Sequence, residues 1–270
     1  MEPWFDTVGV FIIADIGIFL GLLTTRLKKH FWLLGYIFPL SLILMIDLPR
    51  HIYRLVFYQP FSWINAGRRE YVILAFAIPM LFSIIIPRLP LLRQKIILTI
   101  FVTISSVVLF VIPFISPIFV RQELEEIVTV FSPFGICLQS TDYTCGPAAA
   151  VTALCQLGIK ASEGELAIHA YTTPETGTQD DLLVKAIEEE YSSQGITCTY
   201  RCFNSISELR GNCPAIVVTK YSFLIDHYVT VLKVTKDKVI FGDPSSGREM
   251  LSYEEFNKKW RSVGIILKKQ

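Results

Sequence analysis

Four long apolar runs, all within the first 120 residues, constrain this chain more than any other feature. A helix needs roughly 20 apolar residues to cross a bilayer, and inside it only helices or closed barrels satisfy their own backbone. The runs lie near 7–25, 31–47, 71–87 and 95–117, and they predict about four transmembrane helices in a membrane section, residues 1–120. They also account for a chain of 270 residues that is 52% hydrophobic with a mean hydropathy of +0.48. That is too apolar for one ordinary soluble domain. A formal net charge of +1 provides no basic field for nucleic acid, so a lipid bilayer is an expected partner and nucleic acid is not.

The first run does not read as a signal peptide: Glu2 and Asp6 precede it, and no small-residue cleavage site follows. The second run is short and contains Pro39. Between it and the third, Arg50, Arg54, Arg68 and Arg69 stand among Tyr, Phe and Trp, as in an interfacial segment with aromatic anchors and snorkelling arginines. One set of loops carries Arg26, Lys28, Lys29, Arg88, Arg93 and Lys95; the other carries those four arginines and Arg121. Six against five leaves orientation open under the positive-inside rule. Asp15 interrupts the first run. An intramembrane carboxylate is a functional candidate by default; the plainer account is a protonated side chain, or one paired with a hydroxyl on a neighbouring helix.

Past a charged, amphipathic connector (121–133) the periodicity changes. Residues 145–158 read as a helix ending at Gly158, Ser162-Glu-Gly-Glu165 opens another with a capping-box pattern, and Thr178-Gln-Asp-Asp begins a third. From 196 onward come five strands: 196–201, 215–219, 228–234, 239–242 and 263–267. Helices followed by an antiparallel sheet make residues 134–270 an α+β domain, long enough to bury a core without disulfides.

All six cysteines lie in this half of the chain, and Cys145 is set apart. In Gln139-Ser-Thr-Asp-Tyr-Thr-Cys145-Gly-Pro-Ala it stands where a turn-rich loop becomes an apolar helix. The positive end of the helix dipole favours the thiolate there. Gln139, six residues upstream, offers a side-chain amide to hold an oxyanion. A thiol nucleophile needs a base, and the base needs an orienting group. Of the four histidines, His30 and His51 lie at membrane boundaries, and nothing in the local sequence orients His169. His227 begins an alternating strand, and Asp243 ends the next. A hairpin folded at Thr235-Lys-Asp-Lys238 makes the two cross-strand neighbours within about two residues of register.

Taken singly, Cys145 reads as a small buried side chain, His227 as a donor to a carbonyl and Asp243-Pro as a turn cap. Their joint order, with one hairpin linking the last two, favours nucleophile chemistry. That chemistry uses no cofactor. Cys198-x3-Cys202 with Cys213 lacks zinc-knuckle spacing, and on a strand Cys198 and Cys202 lie roughly 13 Å apart, too far to bond each other.

Gln139-x5-Cys145-Gly-Pro-Ala, Asp226-His-Tyr-Val, Gly242-Asp243-Pro-Ser-Ser-Gly247 and Tyr253-Glu-Glu-Phe-Asn-Lys-Lys-Trp260 together resemble the bacteriocin-processing cysteine peptidases, family 39 of the cysteine class. The resemblance covers about 134–268. It implies a papain-like fold and cleavage of leader peptides after a double glycine. Cys145 would be the nucleophile, His227 the general base, Asp243 its orienter and Gln139 part of the oxyanion hole. It implies a multi-pass protein of the bacterial cytoplasmic (inner) membrane and a peptide or protein substrate. Apart from the resemblance, an even number of spans puts both termini on one side, with a slight lean to the extracytoplasmic one. In the familiar exporters the peptidase precedes the spans and an ATPase. Here the spans come first and no Gly-x-x-x-x-Gly-Lys loop is present, so a separate export ATPase is the further partner expected. Two other readings stay open: a module that recognises peptide without cutting it, and acyl transfer or deamidation through the same acyl-enzyme.

Overall fold

The computed structural model describes residues 3–28, 30–222 and 225–270; Glu2 and Lys29, counted above among the charges, lie outside them. The chain divides into two compact units, Met1–Ile118 and Phe119–Gln270.

Helices α1 (Pro3–Thr24), α2 (Leu34–His51), α3 (Phe61–Ile64), α4 (Arg69–Ile85) and α5 (Leu92–Ser106) build the first unit, and α6 (Ile112–Glu125) follows a π-helical turn at Val107–Val111. Among the described residues three stretches are long and apolar enough to cross a membrane, Phe31–His51, Arg69–Arg88 and Leu92–Glu125. The first of the four expected spans forms a shorter apolar helix, Val8–Thr24. Helix α2 runs unbroken through Pro39.

Gly17 and Gly21, one turn apart on α1, face α4 so closely that an added Cβ would stand 2.4 Å from the Phe76 carbonyl oxygen and 2.5 Å from that of Met80. Small residues at this spacing let two apolar helices touch along their backbones, where dispersion and not water exclusion joins them. Pro117 has no N–H for the Pro113 carbonyl one turn back, and Arg68 Nη1 fills the gap at 2.7 Å. The expected snorkelling arginine is thus a half-buried cap on a broken helix bond. Asp15 has no hydrogen bond or ion pair among the described residues; it lines a cavity of 110 Å³ with Thr103, Ser106 and apolar side chains.

In the second unit a two-stranded ribbon, β1 (Val130–Phe131) and β2 (Cys137–Leu138), leads into α7 (Cys145–Gln156), α8 (Glu163–His169) and α9 (Asp180–Tyr191). Then come β3 (Ile196–Cys202), β4 (Ala215–Ser222), β5 (Ile225–Val234), β6 (Lys238–Asp243), β7 (Gly247–Ser252), helix α10 (Tyr253–Lys259) and β8 (Trp260–Lys269). The sheet is antiparallel, in the order β3-β8-β4-β5-β6-β7. This is the α+β architecture expected, with β7 and α10 added.

Alternation on β5 places Val229 and Val231 in a core with Val217, Phe241, Phe256 and Trp260. Each such side chain contributes about 1.5–3 kcal/mol on burial. Thr230, pointing the other way, donates its hydroxyl to the Ala149 carbonyl of α7 at 2.6 Å. Helix α7 can lie this close because Ala148, Ala149 and Ala150 present only methyl groups, all fully buried.

Candidate active site

Cys145 is the first residue of α7, with its side chain half-buried. Pro147 suits the first turn, where its missing N–H would have found no partner in any case. The loop before it is closed by Thr141 and Thr144: the Thr141 N–H donates to Thr144 Oγ1 at 3.2 Å, and the Thr144 hydroxyl returns to the Thr141 carbonyl at 3.3 Å.

His227, 7% exposed, stands near the start of β5. Its Nε2 hydrogen-bonds Asp243 Oδ1 at 2.8 Å, and Cys145 interacts electrostatically with the ring. With Nε2 occupied, Nδ1 is the nitrogen left for sulfur. The pairing of Thr230 with Gly242 sets Asp243 opposite Val229, two positions from His227. A bulge between Val231 and Lys233 adds a residue to β5 and moves the hairpin centre slightly beyond the one expected. The twisted strand ends still let the imidazole and carboxylate meet.

Burial alone would push the His227 imidazole down from its ordinary value of 6.5, but the hydrogen bond to Asp243 and the interaction with Cys145 outweigh it and raise it to about 9. For Asp243, burial works upward and is overcome by the bonds from His227 and the Ser245 N–H, which leave the carboxyl below its usual range. The two shifts agree: each partner holds the other charged.

The turn after Asp243 also grips Gln139. The Gln139 N–H donates to the Pro244 carbonyl at 2.9 Å, the Ser245 hydroxyl donates to Gln139 Oε1 at 3.2 Å, and the Ser245 N–H donates to Asp243 Oδ1 at 2.7 Å. Gln139 Nε2 spends one hydrogen on the Thr141 carbonyl at 2.8 Å, and a primary amide carries a second.

Two acidic residues accompany the site, one fully buried and one half-buried, whose places in the sequence read only as ordinary helix starts. Glu163 is fully buried and takes both the N–H and the hydroxyl of Ser140, each at 2.8 Å. Asp180 accepts the hydroxyls of Tyr228 and, at 2.7 Å, Tyr200, and burial raises its carboxyl. His169, which lacked an orienting neighbour in sequence, meets the Glu190 carboxylate at 3.0 Å on the surface, across α8 and α9. Three of the remaining cysteines are held protonated by burial. Burial pushes the Cys137 and Cys198 thiols to about 12 and Cys213 to about 11.

Gly146 leaves no room beside Cys145: an added Cβ would lie 2.8 Å from the Thr178 Cβ. Gly146→Val is expected to cost about 1–3 kcal/mol, seen as a lower urea midpoint at unchanged slope.

A thiol at a helix start, an imidazole beside it and a carboxylate behind the imidazole, carried on an α+β fold, define a domain of the thiol-peptidase type. Residues 134–270 match the peptidase C39 family, and the chain belongs to that family. It is 33% identical over 135 residues to an uncharacterised protein of Methanothermobacter marburgensis, a match covering 50% of this chain and 89% of that one. A second uncharacterised protein, from Methanothermobacter thermautotrophicus, is 32% identical over 134 residues, covering 50% and 88% respectively. Among solved structures, the peptidase domain of Streptococcus ComA, a bifunctional ABC transporter of a quorum-sensing pathway, aligns at 22% identity with a TM-score of 0.45 over 51% of this chain and 99% of that chain. A double-glycine-motif protease from an AMS/PCAT transporter, in complex with the leader peptide, aligns at 15% identity with a TM-score of 0.43, covering 53% and 100%.

Proposed function

We propose that this chain is a membrane-anchored cysteine peptidase that cleaves after small residues of the double-glycine leader type through an acyl-enzyme on Cys145. The observation that carries the reading is His227, hydrogen-bonded to Asp243 and held charged by its interactions with both Asp243 and Cys145. Three long apolar helices support the anchor. The same reading pairs the chain with a peptide substrate and with a separate export ATPase.

In this mechanism the proton of the Cys145–His227 pair rests on His227 Nδ1, and the thiolate attacks the scissile carbonyl, forming a C–S bond. The oxyanion is held by the second Nε2 hydrogen of Gln139 and by the Cys145 N–H, which as the first of the helix is not consumed by it. Collapse breaks the C–N bond while His227 protonates the leaving amine. Water, deprotonated by His227, then cleaves the thioester and restores the thiol. Asp243 holds the ring with Nε2 protonated and stabilises its positive charge throughout.

The test is incubation of the purified full chain with a peptide carrying an internal Gly-Gly, followed by mass spectrometry. Two fragments whose masses sum to substrate plus one water are expected. Intact peptide bearing a new acceptor group would indicate transfer, and unchanged peptide that nevertheless binds would indicate a recognition module.

The His227 shift gives a pH prediction. A proton held with a raised pKa stabilises the fold fully below the ordinary 6.5, and that contribution fades as pH rises through about 9. In a ring-labelled protein His227 should therefore titrate near 9 by NMR, and at a lower pH in Cys145→Ala, where one of the two raising interactions is gone. Peptide turnover should fall over the same alkaline range, because the imidazolium that protonates the leaving amine is lost.

A further inference from the structure

Glu163 is a fully buried carboxylate that the proposed mechanism does not use. Burying such a group costs several kcal/mol unless its oxygens are satisfied. Here they are satisfied in an unusual way. Among the described residues no basic side chain forms an ion pair with Glu163; both carboxylate oxygens are spent on one residue, Ser140, Oε1 on its N–H and Oε2 on its hydroxyl. The Glu163 N–H in turn donates to Thr129 Oγ1 at 3.0 Å, so the carboxylate projects from a backbone that is itself tied down. Ser140 directly follows Gln139. On its other side Gln139 is fixed to Pro244 and Ser245, in the turn that begins at Asp243.

We propose that Glu163 is the positioning residue of the oxyanion site: by clamping the main chain and side chain of Ser140, it sets the direction in which the Gln139 amide presents its free N–H. This rests on the reading of Gln139 as an oxyanion donor. A loop held from one end only would let that amide swing, and a donor displaced by about 1 Å loses much of its effect on the transition state while barely touching substrate affinity. The anchoring explains why a carboxylate, and not an apolar residue, fills the α8 start: two hydrogen bonds to one serine fix both position and rotation, which packing alone does not.

The experiment uses the full-length protein and three readouts: turnover of a Gly-Gly peptide, labelling of Cys145 by iodoacetamide at pH 7, and Tm. Glu163→Ala is expected to lower kcat about 10–100-fold with KM changed less than about threefold, the signature of an interaction made in the transition state. Labelling should stay near wild type, because alkylation senses the Cys145–His227 pair and not the oxyanion site. Glu163→Gln, which still accepts from the Ser140 N–H and can donate to its hydroxyl, should restore kcat to within about fivefold of wild type. The decisive comparison is a double-mutant cycle: in a Gln139→Ala background, Glu163→Ala should cost less than about twofold further, since the amide it positions is gone. Should Glu163→Ala not fold, Ser140→Ala with Gln139→Ala reads the same path, with the same non-additivity expected.

Unchanged kcat in Glu163→Ala overturns the proposal. So does a parallel fall in labelling and turnover, which would make Glu163 a general structural residue, and so does full additivity with Gln139→Ala. Failure of the underlying peptidase reading looks different: wild type itself turns over no peptide, and its Cys145 labelling does not depend on His227.

Discussion

Cys145→Ala is expected to abolish peptide cleavage, with kcat falling on the order of 10⁵-fold while the peptide still binds. The size follows from what the thiol does. In the proposed mechanism it forms the covalent bond that divides one difficult hydrolysis into two easier steps, and it stands at the start of α7 and acts on His227. The substitution removes a half-buried thiol and leaves a methyl, so the Tm should move little. Residual cleavage above the uncatalysed rate would come from the oxyanion donors alone. Cys145→Ala that keeps wild-type turnover would place the nucleophile elsewhere. Cys137, Cys198 and Cys213 are poor substitutes, because burial holds their thiols protonated at about 11 to 12.

His227→Ala carries the next largest effect, a loss of about 10²–10⁴-fold in kcat. The residue is asked to hold the thiol proton, balance the thiolate, protonate the leaving amine and activate water. Iodoacetamide labelling of Cys145 at neutral pH should slow in parallel, since the thiolate loses its counter-charge. Labelling of the variant at the wild-type rate would contradict the activated pair. The variant also leaves Asp243 without its imidazole partner, at a cost of about 1–3 kcal/mol, so the comparison belongs well below the variant's Tm.

The hairpin was legible because side-chain alternation and a polar turn fix register over a short span; the unseen bulge after Val231 shifted the centre without separating His227 from Asp243. Strand β7 escaped notice because Gly247–Ser252 is an edge strand whose residues are mostly exposed or half-buried, and the apolar alternation that marks a strand is absent there. Glu163 and Asp180 were illegible for a different reason. An acidic residue in the first turn of a helix is usually solvated and favoured by the dipole, and only the tertiary fold reveals that Ser140 covers one and two tyrosines the other. The partner of His169 likewise comes from a different helix. In the first unit hydropathy located the long apolar helices but not the short α3, and it carried no sign that α1 meets α4 through glycines or that Arg68 completes a hydrogen bond which Pro117 withholds.

The most direct test is the mass of the Cys145 tryptic peptide after turnover of a Gly-Gly substrate is stopped in acid within one catalytic cycle. A thioester adduct is predicted, with the mass of the N-terminal substrate fragment minus one water. It should build up before the second product and be absent from Cys145→Ala. Cleavage that proceeds with no adduct on Cys145, and equally well without its thiol, would contradict the account.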